Sequence, residues 1–240
     1  LNLYVTVKNL YFNLQSNVMR IGLISDVHSN LIALEKVLEK LNSCDRIYCA
    51  GDVIGYYPYP KETIEKFIEE GIESVLGNHD DAILRSDFSG MNPYAVKALI
   101  YTKERIDERS FEWLASLLVS IETEYFRIYH GMPAENESAL TTYLFPYDPL
   151  IDSFVEKYGN LVVGHTHIQF KKNFEKGFFL NPGSVGQPRD GDSRAAYAIF
   201  DSDSLKIKLE RVGYNIDEVY EAVLRAGLPE FLGKRLYDGR

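Results

Sequence analysis

The sequence predicts an α/β fold in which a parallel sheet is followed by a second sheet packed against it. Three observations carry this. Short apolar runs alternate with amphipathic helical stretches through residues 20–76, the pattern of strands joined by helical crossovers. The middle of the chain is helical in its apolar spacing. The second half turns to a series of strands, and their number suggests a second sheet.

Taken in order, residues 20–25 are an apolar run of strand length. Ser29 or Asn30 can cap the first helix, in which Leu31, Leu34, Val37, Leu38 and Leu41 repeat at helical spacing over 31–42. Residues 46–50 form a second strand. Thr63 through Glu70 form a second helix closed by Gly71, and Ile72 to Leu76 a third strand. Helices are expected over 93–105, with Pro93 in the first turn, and over 110–118. Strands are expected at 124–129, 160–164, 177–180, 195–200 and 204–212. A final helix over 216–226 ends at Gly227, with Pro229 beyond. No internal repeat or low-complexity linker interrupts residues 19–240, which are expected to form a single domain. Residues 1–18 read as a tag or leader remnant: Asn9-Leu10-Tyr11-Phe12, then Gln15-Ser16-Asn17 shortly before Met19. They lack the clean apolar centre of a secretory signal.

The composition is that of an ordinary globular chain, 45% hydrophobic and 25% charged over 240 residues. That length buries a core without disulfides. The net charge of −9 repels a phosphate backbone, so no general nucleic-acid binding is expected and a nuclease is disfavoured. A small phosphorylated substrate remains compatible, because a local cluster of cations can reverse the field inside a cleft. Cys44 and Cys49 do not form a Cys-x-x-Cys pair and read as small packing residues. No apolar run is long enough to span a bilayer, nothing calls for an oxidising compartment, and the expected location is the cytoplasm. The aromatic content of 13%, with 17 Tyr, permits a homo-oligomeric interface without showing one.

The chemistry is carried by the histidines. There are five, His28, His79, His130, His165 and His167, and each comes directly or nearly so after a strand-like run. A single histidine is by default a satisfied structural residue. Five at strand ends are different, because the carboxyl edge of a parallel sheet is where ligands gather. Asp26-Val27-His28 comes after the first strand, and in an extended segment residues i and i+2 point the same way. Asp26 alone could equally cap the next helix. Gly51-Asp52 comes after the second strand, where a lone Gly-Asp is also ordinary turn chemistry. Gly77-Asn78-His79-Asp80 comes after the third and is more specific. His130-Gly131 and Gly164-His165-Thr166-His167 complete the set. Nitrogen and oxygen donors without thiolate suit Mn, Fe, Co, Ni or Zn rather than Ca. More donors are present than one ion uses, so two divalent transition-metal ions sharing a carboxylate are expected.

These blocks, in this order, resemble the calcineurin-like metallophosphoesterases: Asp-x-His, Gly-Asp, Gly-Asn-His-Asp, His, Gly-His-x-His. The likeness covers most of residues 19–212. It is closest to the small bacterial and archaeal phosphodiesterase branch, in which a segment like Asn181-Pro182-Gly183-Ser184-Val185-Gly186-Gln187-Pro188-Arg189 comes after the last histidine block. The resemblance implies two mixed β-sheets packed as a sandwich and flanked by helices. It implies Asp26, His28 and His167 on one ion, Asn78, His130 and His165 on the other, and Asp52 bridging both. His79 would be the catalytic histidine rather than a ligand, oriented by Asp80.

The expected activity is hydrolysis of a phosphate ester, by a phosphodiesterase or phosphatase, with water activated between the ions and His79, as imidazolium, acting as general acid. Asp80 is expected to raise the pKa of His79 and fix its tautomer. The arginines that protein phosphatases carry beside the Gly-Asp and Asn-His blocks are missing here, which lowers that reading. Arg189 and Asn30 are candidate substrate contacts, although a surface salt bridge would account for Arg189 equally well. Tyr56, Tyr57 and Tyr59 could stack on an aromatic group of the substrate or simply pack on the next helix. Residues 132–149 could form a rim or lid. The alternative to an enzyme is a metal-binding scaffold of the same fold, as in a retromer subunit that has lost the catalytic histidine. His79 and the filled ligand positions weigh against it.

Overall fold

The structure, a computed structural model, describes residues 18–134 and 138–240. The leader expected at the N-terminus lies, apart from Val18, outside the described residues. Strands and helices succeed one another in the order β1 (Arg20–Ile24), α1 (Leu31–Leu41), β2 (Arg46–Cys49), α2 (Pro60–Glu69), β3 (Glu73–Ser74), α3 (Asn78–Arg85), α4 (Pro93–Lys103) and α5 (Glu108–Ala115). Then come β4 (Ser120–Glu122), β5 (Arg127–Tyr129), α6 (Ser138–Thr141), α7 (Leu150–Tyr158), β6 (Leu161–Val162), β7 (Phe170–Phe174) and β8 (Gly177–Asn181). The chain closes with β9 (Ala195–Asp201), β10 (Lys206–Val212), α8 (Ile216–Arg225) and α9 (Glu230–Tyr237).

Two mixed five-stranded sheets result, in the orders β10-β9-β1-β2-β3 and β4-β5-β6-β8-β7. In the first, β1, β2 and β3 run parallel, β9 pairs antiparallel with β1, and β10 pairs antiparallel with β9. In the second, β5, β6 and β8 run parallel between antiparallel edges. Alternation along β1 sends Ile21 and Leu23 to one face and Ile24 to the other. The first pair joins Tyr48, Phe126, Ile128, Val162, Leu180 and Phe200 in the layer between the sheets. Ile24 and Cys49 instead meet the buried faces of α1 and α2 through Leu34, Val37, Ile64 and Phe67. The outer face of the second sheet is covered by Ile151 and Val155 of α7. The expected sandwich flanked by helices is therefore present, with apolar side chains of both sheets interleaved between them.

Helix α1 starts where Asn30 accepts a hydrogen bond from the Ala33 amide at 3.2 Å, an N-cap, and buries Ala33, Leu34, Val37 and Leu41 on one stripe. Helix α2 begins at Pro60, three residues before the expected start, because proline suits the first helical position. Helices α3, α6, α7 and α9 and strands β4 and β7 are not expected from the sequence. Strand β7 reads Phe-Lys-Lys-Asn-Phe, polar as an edge strand can be. Among the described residues no helix is long and apolar enough to cross a membrane.

Candidate metal centre

The carboxyl ends of β1, β2, β3, β5 and β6 all open at the same end of the sandwich, and the histidine-bearing segments begin there. The segment after β3 runs straight into a helix, and His79 lies in the first turn of α3. Nor are the segments that carry the candidate ligands extended. Asp26, His28, Asp52, His165 and His167 hold φ angles of 51°, 51°, 54°, 65° and 59°, in the left-handed region that non-glycine residues usually avoid. Asp26 and His28 thus reach the same place through a tight backbone coil rather than strand alternation. Two glycines permit the crowding. A Cβ at Gly77 would stand 2.1 Å from the Asp52 nitrogen, and one at Gly164 would stand 2.0 Å from Ser25 Oγ.

The side chains form two buried groups whose donor atoms lie within 4.8 Å of one another: Asp26, His28, Asp52 and His167, and Asp52, His130 and His165. Asp52 belongs to both. Its Oδ2 lies 3.5 Å from His28 Nε2 and 3.4 Å from His130 Nε2, while its Oδ1 accepts the His79 amide at 2.9 Å. Asn78 joins the second group, with Oδ1 3.0 Å from His130 Nε2. Asp26 Oδ1 is 3.3 Å from His167 Nε2, and its carboxylate accepts from Ser25 Oγ and the His165 amide.

Whether a cation fits here is decided by the ring nitrogens. Each of four histidines places one nitrogen on a backbone carbonyl: His28 Nδ1 on Ile54, His130 Nδ1 on Ala50, His167 Nδ1 on Gln187 and His165 Nε2 on Thr141, at 2.6–3.3 Å. A carbonyl only accepts, so those nitrogens carry the protons. The other nitrogen of each ring then turns a lone pair inward. His28 Nε2 and His167 Nε2 meet at 3.1 Å, as do His130 Nε2 and His165 Nδ1. Lone pairs that close repel unless a proton or a metal ion sits between them, and backbone partners of this kind are what orient metal-binding histidines.

The electrostatics agree. Burial pushes the Asp26 carboxyl up to about 7, and the Asp52 charge adds to this. Burial also opposes charge on Asp52, but His130, His79 and His28 outweigh it and hold Asp52 well below the usual range. Burial acts against a charge on His130 as well, yet Asp52 raises it to about 9. Burial lowers His28 and His167 far below their ordinary value and His165 to about 3. The His130 proton thus stands where a cation would.

Residues 19–205 match the family model for the calcineurin-like phosphoesterase superfamily domain. The chain belongs to that superfamily. Three other proteins resemble it over nearly their full length. A metallophosphoesterase from Sphaerobacter thermophilus shares 33% identity and a TM-score of 0.83, covering 93% of this chain and 100% of its own. A hypothetical protein from Pyrococcus horikoshii has the same fold, with a TM-score of 0.83 at 23% identity over 92% of this chain and 98% of its own. An uncharacterized protein of Methanocaldococcus jannaschii is 38% identical over 243 residues, 92% of this chain and 98% of that protein. Membership of this phosphoesterase superfamily supports phosphoester hydrolysis as the general chemistry, and the buried Asp and His groups suit metal ions.

Other candidate residues depart from expectation. His79 is in neither donor group; it packs edge-on against His28, ring centroids 4.6 Å apart, and its Nδ1 is buried without a hydrogen-bond partner among the described residues. Asp80 does not touch that ring. Its carboxylate accepts the amides of Val53, Ile54 and Gly77 at 2.9–3.3 Å, so it fixes the loops and not the imidazole. Burial accordingly lowers His79 to about 4 instead of raising it. Asn30 is fully buried, and its side chain is occupied by the helix cap and by Gly186 O at 2.9 Å, which removes it as a substrate contact. Tyr57 is also fully buried, and Tyr56 packs against His28 and His79 at 4.8 and 4.7 Å, so neither offers a free face for stacking.

Among the described residues Arg189 stands in no salt bridge, with no carboxylate within 4.0 Å of it. Its Nη2 lies 3.5 Å from the Tyr56 hydroxyl. Within the segment expected as a rim or lid, three aromatic residues not singled out in the sequence form a row: Tyr143 stacks on His165, and Phe145 and Tyr147 continue it at 5.7 and 5.8 Å. The alternation Tyr143-x-Phe145-x-Tyr147 was the signal for it. A cavity of about 380 Å³ opens beside Asn78 and Thr141. A larger one of about 620 Å³ lies by Leu38, Arg46 and Gly71, away from the histidines.

Proposed function

We propose that this protein hydrolyses a phosphate ester at two divalent transition-metal ions. Asp26, His28 and His167 would hold one, Asn78, His130 and His165 the other, and Asp52 both. The observation that carries this is the position of Asp52 Oδ2, between His28 Nε2 and His130 Nε2 and common to both donor groups. When bound, such ions supply Lewis acidity, lowering the pKa of water and drawing charge from the phosphoryl oxygens. The protein's own groups do the rest. Backbone carbonyls hold the four histidines in the tautomer that binds metal. Arg189 contacts the non-bridging phosphate oxygens. His79 delivers a proton to the leaving oxygen. Burial keeps His79 neutral at rest, so it gains its proton when the anionic substrate arrives and raises its pKa.

The test is to strip the protein of metal, reload it with Mn²⁺, Ni²⁺, Zn²⁺ or Mg²⁺, and assay bis-p-nitrophenyl phosphate and p-nitrophenyl phosphate side by side. Metal-dependent turnover that falls at least ~10²-fold in His79→Ala, with metal content kept, is the expected result. The better substrate assigns diesterase or monoesterase. Two bound ions without turnover on either ester would favour a binding scaffold.

A further inference from the structure

Gln187 is a buried amide outside both metal-binding groups, yet both ends of its side-chain amide are engaged. Its Nε2 donates to the Tyr57 hydroxyl at 3.0 Å. Its Oε1 accepts from Arg189 twice, from Nε at 3.1 Å and Nη2 at 2.7 Å. The Tyr57 hydroxyl in turn donates to the Leu232 carbonyl of α9 at 3.2 Å. The direction of this chain is forced. A tyrosine has one proton to give, and the Leu232 carbonyl takes it, so the Tyr57 oxygen can only accept from Gln187. The Gln187 amide must then turn its NH₂ toward Tyr57 and its oxygen toward Arg189. Each donor polarises the next, and a chain of this kind in a dry interior strengthens along its length.

We propose that Gln187 is the positioning residue for Arg189, holding the guanidinium at the mouth of the metal centre through a relay anchored on α9, so that its charge stays free for a phosphoryl oxygen. The proposal rests on the reading of Arg189 as the phosphate contact. A carboxylate in place of Gln187 would aim the guanidinium equally well but would cancel its charge, whereas a neutral amide oxygen aims it and leaves the charge whole. The guanidinium carbon lies 5.8 Å from the centre of the Tyr56 ring, and that ring packs directly on His28 and His79. From there the Arg189 charge acts on Asp26, His28, His79 and His167 on one side and on Tyr143 on the other. Gln187 also holds His167, whose Nδ1 meets the Gln187 backbone carbonyl, a contact that side-chain substitutions leave in place.

The test uses the full metal-loaded chain with inorganic phosphate as competitive inhibitor, and compares Gln187→Glu, Gln187→Leu, Tyr57→Phe and Arg189→Ala. Gln187→Glu and Gln187→Leu are each expected to weaken phosphate inhibition and raise KM roughly tenfold, the size of one charge-assisted hydrogen bond. The effect should fall on KM rather than kcat, with two metal ions per chain retained. Tyr57→Phe, which touches neither Arg189 nor the metal, should raise KM about two- to threefold. Arg189→Ala should match or exceed the Gln187 variants and recover in part with free guanidinium ion. If Arg189→Ala loses phosphate affinity while the Gln187 variants bind it normally, the positioning role is wrong and the Arg189 contact survives. If Arg189→Ala binds phosphate normally, the contact fails and the relay with it. Loss of metal from the Gln187 variants would also overturn the proposal, because that is what a purely structural role predicts.

Discussion

The ring of Tyr143 lies over that of His165, centroids 3.9 Å apart and planes within 17° of parallel. His165 offers Nδ1 to the cluster and gives Nε2 to the Thr141 carbonyl, so Tyr143 and Thr141 together hold it from the solvent side. Tyr143→Ala opens that wall to water. Its expected effect is about tenfold weaker binding of one of the two ions, the lower end for loss of a supporting contact, with the other unchanged. A metal titration monitored by calorimetry resolves the two steps, and equal weakening of both would contradict the asymmetry.

Asp52→Ala removes the oxygen common to both groups. Metal content should fall below two ions per chain, and turnover should drop at least ~10²-fold, since each ion contributes several kcal/mol of charge stabilisation. Elemental analysis of the dialysed protein checks the first part. A variant that keeps both ions would show that Asp52 is not shared.

Asp80→Asn separates the two neighbours His79 and Asp80. The Asp80 carboxylate accepts amides from Val53, Ile54 and Gly77, and the NH₂ of asparagine can only face such donors badly. A loss of about 1–3 kcal/mol of stability is expected, read as a lower Tm. Restored thermal stability on adding metal would point to the Asp52 loop as the part disturbed, whereas an unchanged Tm would dismiss the bracing role.

The stability of the metal-free protein should pass through a maximum in pH. His28, His79, His165 and His167 have folded values below their ordinary 6.5. As pH falls below that value the unfolded chain takes up their protons and the folded one does not, so stability is lost toward acid. Asp26 and Asp80, raised to about 7, oppose this, but they are two groups against four. His130, raised to about 9, contributes stability that is lost as pH rises from 6.5 through 9. The maximum should therefore lie near pH ~6–7. Bound ions need Asp26 ionised and His130 neutral, so they should abolish the alkaline decline. Melting curves with and without Mn²⁺ across pH 5–9 decide it.

The candidate donor residues stand out in the sequence because they sit in short blocks after strands, and β1, β2 and α1 announce themselves by apolar period. What escaped was of two kinds. Elements with mixed polarity, such as β7 with its paired lysines, carry no strong period. Contacts that depend on long-range assembly leave no local trace: nothing around Asp80 shows that its carboxylate meets Val53 and Ile54, and nothing in the last histidine segment shows Tyr143 above His165. The extended geometry assigned to Asp26-Val27-His28 failed for a related reason. Metal ligands crowded at a sheet edge take backbone angles that local preference disfavours, and only the surrounding fold imposes them.

Those angles leave a mark that outlasts the chemistry. Alanine at Asp26, Asp52 or His167 would lose the donor and keep the left-handed backbone, at about 1–2 kcal/mol per residue, whereas asparagine or glycine tolerates it. Asp52→Asn should thus melt above Asp52→Ala, even with both stripped of metal. A lineage that abandoned the reaction would drift at these positions toward asparagine and glycine before alanine or valine, and its sequence would keep the outline of a metal centre it no longer used.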